Sequence, residues 1–289
     1  MLKKRIIGSI VINNNWAVQS IGFNKYTPIG EPQYSVEFLD KWGVDEIIIS
    51  DISTTLNQSK PNYKLLNKVT ERCSVPITYG GGIKSISDMI KILKYGADKI
   101  CINHIVLDNP KIVYEGAKIL GRQCILVSID VICHNGKYEV YDYVSKKSTG
   151  IDPIEFVKKI VDLGAGEVVI RNIDHDGMKI GYDIDIISKI ATLSPIPVIA
   201  AGGYGIPQHA LDCFNKTNIS ACAIGNALVH IEHSAALIKS YLSNQKCPIR
   251  HETTFTYLDG SINRYGRLVK YNDDYLENLI YEKIPEIKI

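Results

Sequence analysis

Residues 42–53, WGVDEIIISDIS, reappear later in the chain as residues 163–174, LGAGEVVIRNID. The offset between the two copies is 121 positions (163 − 42), and residues 9–11, SIV, match residues 128–130, SID, at an offset of 119 (128 − 9). An internal repeat of this length indicates that two half-chains share one structural plan. The matched strands differ at their last residue, which is the aliphatic Val11 in the first half and the carboxylate Asp130 in the second.

Short runs rich in β-branched residues alternate with longer amphipathic stretches, which is typical of parallel strands joined by crossover helices. The predicted strands are residues 5–11, 46–51, 75–79, 98–102, 124–130, 167–172, 197–201 and 220–224. The predicted helices include residues 62–73, 85–95, 110–120, 153–163, 206–215 and 231–243. Ser85 and Asn109 are the expected helix caps, with Pro110 at the favoured first helical position.

Eight such strand and helix units predict an α/β protein with a closed (β/α)8 TIM barrel. A doubly wound open sheet is the alternative, but a twofold repeat of four units fits closure better. We expect the barrel domain to span residues 1–247. Residues 248–289 lie outside the repeat and are rich in tyrosine and charge. This C-terminal extension is either a packed surface tail or a docking segment for a partner, because tyrosines are favoured at interfaces.

The overall composition excludes several classes of partner. The chain has 289 residues and a net charge of +2, so nothing in its balance calls for nucleic acid or an anionic membrane. Its seven cysteines form no CxxC pair and indicate buried thiols of a reducing cytoplasm, with no metal or cofactor implied. The apolar run near the amino terminus is too short for a membrane span and lacks a signal-peptide cleavage site. We therefore expect a soluble, cytoplasmic protein.

Catalytic groups of a (β/α)8 barrel lie at the carboxyl ends of its strands. One mouth is therefore expected to hold Val11, Asp51, Asn103, Asp130, Asn172 and Asp174. Asp130 is the leading catalytic candidate, because a carboxylate that ends an apolar strand is costly unless it has a function or a partner. Asp51 and Asp174 are further candidates, although aspartates in such places often only accept hydrogen bonds from backbone amides. Arg171 could add positive charge to the same mouth.

Two glycine pairs occupy equivalent places in the two halves and predict two phosphate cradles. Glycine at a strand end lets backbone N–H groups approach a phosphate closely. The first cradle comprises Gly81, Gly82 and Asn103, and the second comprises Gly202, Gly203, Gly225 and Asn226. Tight turns use single glycines routinely, but two symmetric pairs favour a ligand that carries a phosphate at each end.

Charged residues begin four of the predicted strands, at the opposite mouth: Arg5, Glu46, Lys99 and Glu167. Barrel closure would bring these two cations and two anions around one axis, where they would be costly unless paired with one another. The group is either a buried salt-bridge plug at the bottom of the barrel or a gate on a passage through it.

The segments RIIGSIV, DEIIISDIS, PITYGGGIKS, GADKICIN, VSIDV, GAGEVVIRNIDHDGMKIGYD and PVIAAGGYG resemble the cyclase subunit of imidazole glycerol phosphate synthase over roughly residues 1–245. That family is a (β/α)8 barrel of the ribulose-phosphate-binding type. It receives ammonia from a glutaminase subunit at its lower face and joins it to a phosphorylated ribulosyl substrate at its upper face. The resemblance implies that the four charged residues are the ammonia gate. It also implies that the two glycine cradles, together with Gly177, bind phosphate, and that Asp130 is the second catalytic aspartate.

The first catalytic aspartate of that family falls on Val11, and the lysine two positions on falls on Asn13. Valine can neither donate nor accept a proton, and losing one acid or base costs about 10²- to 10⁴-fold in rate. The chain therefore looks like a cyclase paralogue of glycan amidation pathways, which passes ammonia from the glutaminase to an ATP-dependent sugar amidotransferase. A cyclase of histidine biosynthesis, in which Asp51 or Asp174 replaces the lost acid, is the alternative.

Overall fold

The computed structural model describes residues 3–251, 256–258, 260–269 and 271–278. Its strands are β1 (Arg5–Asn13), β2 (Trp16–Ile21), β3 (Lys25–Gly30), β4 (Glu46–Asp51), β5 (Ile77–Gly80), β6 (Lys99–Ile102), β7 (Ile125–His134), β8 (Lys137–Asp142), β9 (Lys147–Ser148), β10 (Glu167–Asn172), β11 (Val198–Ala201) and β12 (Ala221–Ile224). Its α-helices are α1 (Pro32–Lys41), α2 (Ile52–Leu56), α3 (Tyr63–Thr70), α4 (Ile86–Lys94), α5 (His104–Asp108), α6 (Lys111–Leu120), α7 (Pro153–Asp162), α8 (Ile184–Leu193), α9 (Pro207–Lys216), α10 (Ser234–Asn244) and α11 (Asp273–Glu277).

Eight of the strands close into a parallel barrel in the order β1, β4, β5, β6, β7, β10, β11 and β12, with β12 returning to β1. The predicted (β/α)8 barrel is confirmed. An inner apolar cluster that includes Ile7, Ile48, Leu126, Val169 and Ile199 fills the barrel. A larger cluster packs between the strands and the surrounding helices. No helix in the described residues is long and apolar enough to span a membrane.

The register of the strands is the same in both halves. Val11 on β1 lies opposite Ser50 on β4, and Asp130 on β7 lies opposite Arg171 on β10. The sequence offsets of 119 and 121 relate these two pairs to each other. Val11 therefore occupies the place in the first half that Asp130 occupies in the second.

Two antiparallel hairpins extend the barrel at equivalent points of its two halves, and they were missed at the sequence level. The β1–β2 turn uses Asn14 and Asn15, with φ of 49° and 68°, and the β7–β8 turn uses Asn135 and Gly136, with φ of 51° and 77°. Two-residue turns with positive φ at both positions suit asparagine and glycine and match the twist of a hairpin. The Asn-Asn and Asn-Gly pairs were the signals that could have found them.

One of the two predicted helix caps is correct. The Ser85 hydroxyl accepts a hydrogen bond from the backbone N–H of Asp88 at the start of α4. Asn109 does not cap α6, which begins at Lys111 after Pro110. Instead Asn109 ends the short helix α5, where its backbone N–H donates to the carbonyl of Ile105 at 2.8 Å. Residues His104–Asp108, just before this position, form the helix α5, which was not predicted.

The segment after α10 returns to the lower end of β1. The Lys4 N–H donates to the Pro248 carbonyl at 2.8 Å, and the Arg250 N–H donates to the Lys4 carbonyl at 3.1 Å. Further on, the Tyr257 N–H donates to the Ser240 hydroxyl of α10 at 3.1 Å. Residues 252–255, 259, 270 and 279–289 of the predicted extension lie outside the described residues.

Candidate functional site

The lower mouth of the barrel holds a closed ring of four charges. Arg5 pairs with Glu46 and, at 2.8 Å, with Glu167. Lys99 completes the ring through contacts of 3.1 Å with Glu46 and 2.7 Å with Glu167. The four side chains come from β1, β4, β6 and β10 and are largely buried. The residues predicted to meet around one axis therefore do so.

Mutual pairing offsets the effect of burial on the pKa values of Arg5 and Glu167. Burial alone would lower the pKa of Arg5, but Glu167 and Glu46 together raise it. Burial alone would raise the pKa of Glu167, but Arg5 and Lys99 hold it below its usual value. Two positive and two negative charges cancel, so the ring presents a polar constriction without net charge at the base of the barrel.

The upper mouth contains a cavity of about 400 Å³. It brings together Val11, Gly81, Gly82, Asn103 and Asp130, as the carboxyl ends of parallel strands require. Aromatic side chains that were not predicted to take part also line it, namely Phe23 and Tyr26 from the β2–β3 hairpin and Tyr143 beyond β8. The β2–β3 hairpin, in which these two strands pair antiparallel, and the segment after β8 thus supply one wall of the cavity.

Asp130 is the least satisfied polar group of the mouth. Its side chain is buried, and Oδ2 accepts a hydrogen bond of 2.7 Å from Asn103 Nδ2. Oδ1 has no hydrogen-bond partner. Burial raises the pKa of Asp130 to about 6, against the opposing pull of the Arg171 guanidinium. A carboxylate with a free oxygen and a pKa near neutrality is equipped to accept a proton or a hydrogen bond from a ligand.

Replacing Asp130 by asparagine is expected to stabilise the folded protein at neutral and alkaline pH. The pKa of the folded-state carboxyl lies above its ordinary value. Its ionisation therefore costs stability as pH rises through about 6, by about 1–3 kcal/mol. Urea unfolding of Asp130→Asn should show this gain near pH 8 and almost none near pH 4. Asp162→Asn, at an exposed site on α7, is the control, and a gain at Asp130 that does not change with pH would contradict the reasoning.

Asp51 also borders the cavity, but its carboxylate is already engaged. It accepts hydrogen bonds from the Ser53 hydroxyl at 2.8 Å, the Thr54 N–H at 3.3 Å and the Tyr79 hydroxyl at 3.4 Å. Burial raises the pKa of Asp51, and these donors oppose the rise, Ser53 most strongly. The geometry is that of a cap at the start of α2, which leaves little capacity for chemistry.

Asp174 lies apart from this cavity. It is exposed, and its Oδ2 accepts a hydrogen bond of 3.2 Å from the Cys133 N–H at the edge of β7. Asn172, which was expected at the same mouth, is buried and donates to Asp183 Oδ2 at 2.5 Å. Neither side chain lines the cavity that holds Asp130. A catalytic role for Asp174 therefore stays a prediction without a geometric partner.

Besides Asp130, the acids that line the cavities beside Val11 in the described residues are Asp51, Asp108 and Asp176, and Asp108 contacts His104 Nε2 at 3.3 Å. Asp176 lines a second, smaller cavity beside Val11, but its carboxylate accepts a hydrogen bond of 2.7 Å from the Ser20 hydroxyl. Burial raises the pKa of Asp176, and Arg171 opposes the rise. Arg171 reaches the centre of the mouth, where Nη2 donates to Ser9 Oγ at 3.4 Å.

The two predicted phosphate cradles differ in accessibility. The first opens into the large cavity, where the Gly82 N–H donates to the Thr55 hydroxyl at 3.0 Å and could instead meet a phosphate oxygen. The second faces a cavity of only about 50 Å³, between the barrel and the β2–β3 hairpin. That cavity is lined by Gly177, Gly202, Gly203, Gly225 and Asn226, among others.

The glycines of the second cradle have structural reasons to be glycine. Gly203 has a φ of 97°, and a Cβ there would lie 2.0 Å from the Gly181 carbonyl oxygen. Gly177 has a φ of 76°, and a Cβ there would lie 2.5 Å from the Ser20 carbonyl oxygen. Close backbone approach thus accounts for both positions with or without a phosphate.

Comparison with known proteins shows the family of the chain. The family described as histidine biosynthesis protein matches residues 5–234. A Vibrio vulnificus protein provisionally named imidazole glycerol phosphate synthase subunit hisF2 is 35% identical over 267 residues, which are 92% of this chain and 98% of that protein. The chain belongs to the HisF family. HisF subunits of imidazole glycerol phosphate synthase from Dehalococcoides mccartyi and Natranaerobius thermophilus are 34% and 36% identical, over 87% and 86% of this chain and the full length of each relative.

The family match ends at residue 234, within the barrel, whereas the alignment with the Vibrio vulnificus relative covers 267 residues and so includes part of the C-terminal extension. Membership of the HisF family agrees with the sequence resemblance and with the closed barrel of eight strands. The departure at Val11 lies inside the matched region.

Proposed function

We propose that this HisF-family barrel receives ammonia from a glutaminase subunit at its lower face and conducts it to an ATP-dependent sugar amidotransferase. The product would be an amidino sugar for a surface polysaccharide or a flagellar glycan. The observation that carries the proposal is a complete charged ring below a mouth that lacks one acid. Val11 stands in the register position equivalent to Asp130, while all four ring residues are present and paired.

The side chains above the ring suit the passage of a small neutral molecule. Residues alternate along a strand, so Arg5 and Val11 on β1 share the inward face with Ile7 and Ser9. From the lower to the upper mouth, the charged ring at Arg5 is therefore followed by an apolar layer at Ile7 and then by a hydroxyl layer at Ser9. Uncharged ammonia can cross an apolar layer that opposes the ammonium ion, since a charge without a partner is costly there.

The second candidate is the cyclase of imidazole glycerol phosphate synthase in histidine biosynthesis. The names of the relatives favour it, since all three are named as subunits of imidazole glycerol phosphate synthase. It would require Asp130 to act with Asp51 or Asp174 in place of an acid at Val11. The hydrogen bonds that engage Asp51 and the exposed position of Asp174 count against this arrangement.

An isotope competition experiment tests the conduit. The barrel, its glutaminase and the sugar amidotransferase would be supplied with ATP, glutamine labelled with heavy nitrogen at the side-chain amide, and excess unlabelled ammonium. If ammonia travels inside the barrel, the amidine nitrogen should be mostly heavy. Lys99→Met opens the ring, so we expect the labelled fraction to fall several-fold. Melting temperatures would show that the variant remains folded.

The matched control is Lys158→Met, which removes a lysine from an exposed ion pair with Glu155 on α7. It should leave the labelled fraction unchanged. A product whose label follows the bulk ammonium pool in the wild type would contradict the conduit. So would an equal labelled fraction when the barrel is left out.

A further inference from the structure

The turn between β8 and β9 crosses the mouth of the first half of the barrel. It comprises residues 142–146, which we call the strap. Tyr143 and Val144 of the strap line the cavity of about 400 Å³. The Tyr143 hydroxyl shares a hydrogen bond with the side chain of Thr55 on α2. Because α2 follows β4 and the strap follows β7 and β8, with β5 and β6 between β4 and β7, Tyr143 spans the opening of this half.

His104, the first residue of α5, is placed between two carboxylates and holds the strap to the barrel. Its Nδ1 lies 2.9 Å from Asp142 Oδ1 on the strap, and its Nε2 lies 3.3 Å from Asp108 Oδ2, one turn further along α5. The ring of Tyr143 packs edge-on against the imidazole, with 6.5 Å between the ring centroids. Both ring nitrogens thus face an acceptor, and only a protonated imidazole can donate to both.

Asp142 connects this contact to the backbone of the strap. Its side chain is buried, and Oδ1 also accepts a hydrogen bond of 3.0 Å from the Val144 N–H. Oδ2 accepts one of 3.2 Å from the Ser145 N–H. Burial alone would raise the pKa of Asp142, but the donors of Ser145 and Val144 and the charge of His104 hold it below its usual value. The carboxylate therefore remains an acceptor at neutral pH, and the state of His104 decides how firmly it is held.

Several other charged or titratable groups surround this contact. They lie on the neighbouring strands, across the cavity and on the exposed side of the strap: Asp51, Lys84, Cys101, Asp130, Lys146 and Lys147. Burial raises the pKa of Asp130 to about 6, so its ionisation is a competing source of any pH dependence near the strap. Asp130 itself is bonded to Asn103 rather than to the strap.

We propose that the strap is a pH-sensitive cover on the first half of the upper mouth and that His104 is its latch. The imidazolium form donates to Asp142 and Asp108 and keeps the strap closed over the cavity. When His104 loses its proton, one ring nitrogen becomes an acceptor that faces a carboxylate, so a contact is lost and the strap opens more often. Access to the cavity therefore increases from weakly acidic to weakly alkaline solution.

Hydrogen exchange of the Val144 and Ser145 amides measures opening of the strap in the full chain without any ligand. After correction for the intrinsic exchange rate, we expect the open population of the wild type to increase about fivefold or more between about pH 5.5 and about pH 8. His104→Ala removes both contacts. Its strap amides should exchange at least about fivefold faster than those of the wild type at the acidic pH, with little further change on raising the pH.

Two variants and one amide serve as controls. His175→Ala removes another histidine of the upper face, whose Nδ1 lies 2.7 Å from the Gly181 carbonyl oxygen, and it should leave exchange in the strap unchanged. Asp130→Asn removes the competing titration and should keep the wild-type pH dependence. The Ser20 amide, which donates to Asn226 Oδ1 at 3.2 Å, lies outside the strap and should respond to none of these changes.

Modification of Cys101 measures access to the cavity itself. Cys101 lines this cavity, whereas Cys133 lies outside it and gives an internal reference. A small disulfide reagent at about pH 6, followed by peptide mass spectrometry, should modify Cys101 several-fold faster in His104→Ala than in the wild type. Cys133 should react at the same rate in both proteins.

Four results would overturn the proposal. They are strap amides that exchange equally in the wild type and His104→Ala, a wild-type open population that is the same at both pH values, a pH dependence that disappears in Asp130→Asn, and an unchanged rate at Cys101. If His104→Ala fails to fold, Tyr143→Phe removes only the hydrogen bond to Thr55. Its strap should open more than that of the wild type at both pH values and retain the pH dependence, and equal exchange would count against the cover.

Discussion

Supplied with excess ammonium and the phosphorylated ribulosyl precursor, the protein is expected to form imidazole glycerol phosphate at least about 10²- to 10⁴-fold more slowly than an ordinary enzyme. Ordinary turnover lies at about 1–10³ per second. Ring closure needs proton transfers on both sides of the substrate, and the first half of the barrel offers an aliphatic side chain where the second offers a carboxylate. Free ammonium removes any dependence on the glutaminase, so the assay reports on the upper mouth alone.

Val11→Asp is the variant that tests the cause of this deficit. It restores a carboxylate opposite Asp130 without touching the lower ring, and we expect it to raise the cyclase rate. Ile119→Asp, which places an acid at an exposed site on α6 outside both mouth cavities, is the control and should leave the rate unchanged. A wild-type turnover in the ordinary range would reject the conduit proposal and favour the cyclase function. A Val11→Asp variant that is as slow as the wild type would show that further changes limit the chemistry.

Replacing Lys239 by methionine is expected to destabilise the fold by about 3–5 kcal/mol, because it leaves a buried carboxylate without its cation. Lys239 on α10 and Asp45 just before β4 are buried, and Lys239 Nζ donates to Asp45 Oδ1 at 2.7 Å. Asp45 Oδ2 accepts from the Ile6 N–H at 2.7 Å, so one carboxylate connects the last barrel helix to the first strand. Denaturant unfolding measures the loss.

The size of the loss at Lys239 should depend on pH. Burial already raises the pKa of Asp45, with Lys239 opposing the rise. Without the lysine the pKa rises further, so the variant loses more stability as pH increases through that value and less in acid. The double variant Lys239→Met with Asp45→Asn removes the stranded charge and should recover part of the loss. A single variant that loses less than about 1 kcal/mol would show that the pair is dispensable.

The barrel and the lower ring could be predicted from sequence because both follow from periodicity. Strand patterns repeat, strand ends in a closed barrel converge, and charges at the beginnings of strands must then meet. Arg5 and Glu167 are 162 positions apart in the chain, yet barrel closure alone places them together. The family resemblance supplied their expected role, and the structure supplied their contacts.

Which polar side chains of the upper mouth are already engaged in hydrogen bonds could not be predicted from periodicity. Whether Asp51 is a catalytic acid or a helix cap depends on local donors such as Ser53, which a strand pattern does not reveal. The hydrogen bond between Ser20 and Asn226 joins residues 206 positions apart, and Ser20 lies on a strand whose hairpin was signalled in the sequence by the Asn14-Asn15 turn. Sequence symmetry predicted two equal cradles, but the cavities beside them differ in volume, at about 400 and about 50 Å³.

The pairing of Lys4 with residues 248 and 250 has a consequence for how this barrel can be rebuilt. Because the first strand and the segment that follows the last helix run side by side, a short linker could join them into a circle. New ends could then be opened at an exposed turn such as the one at Asn135 and Gly136. The order of the two halves would be exchanged while each retained its neighbours, so the rearranged chain would reveal which half must be made first for the whole to fold.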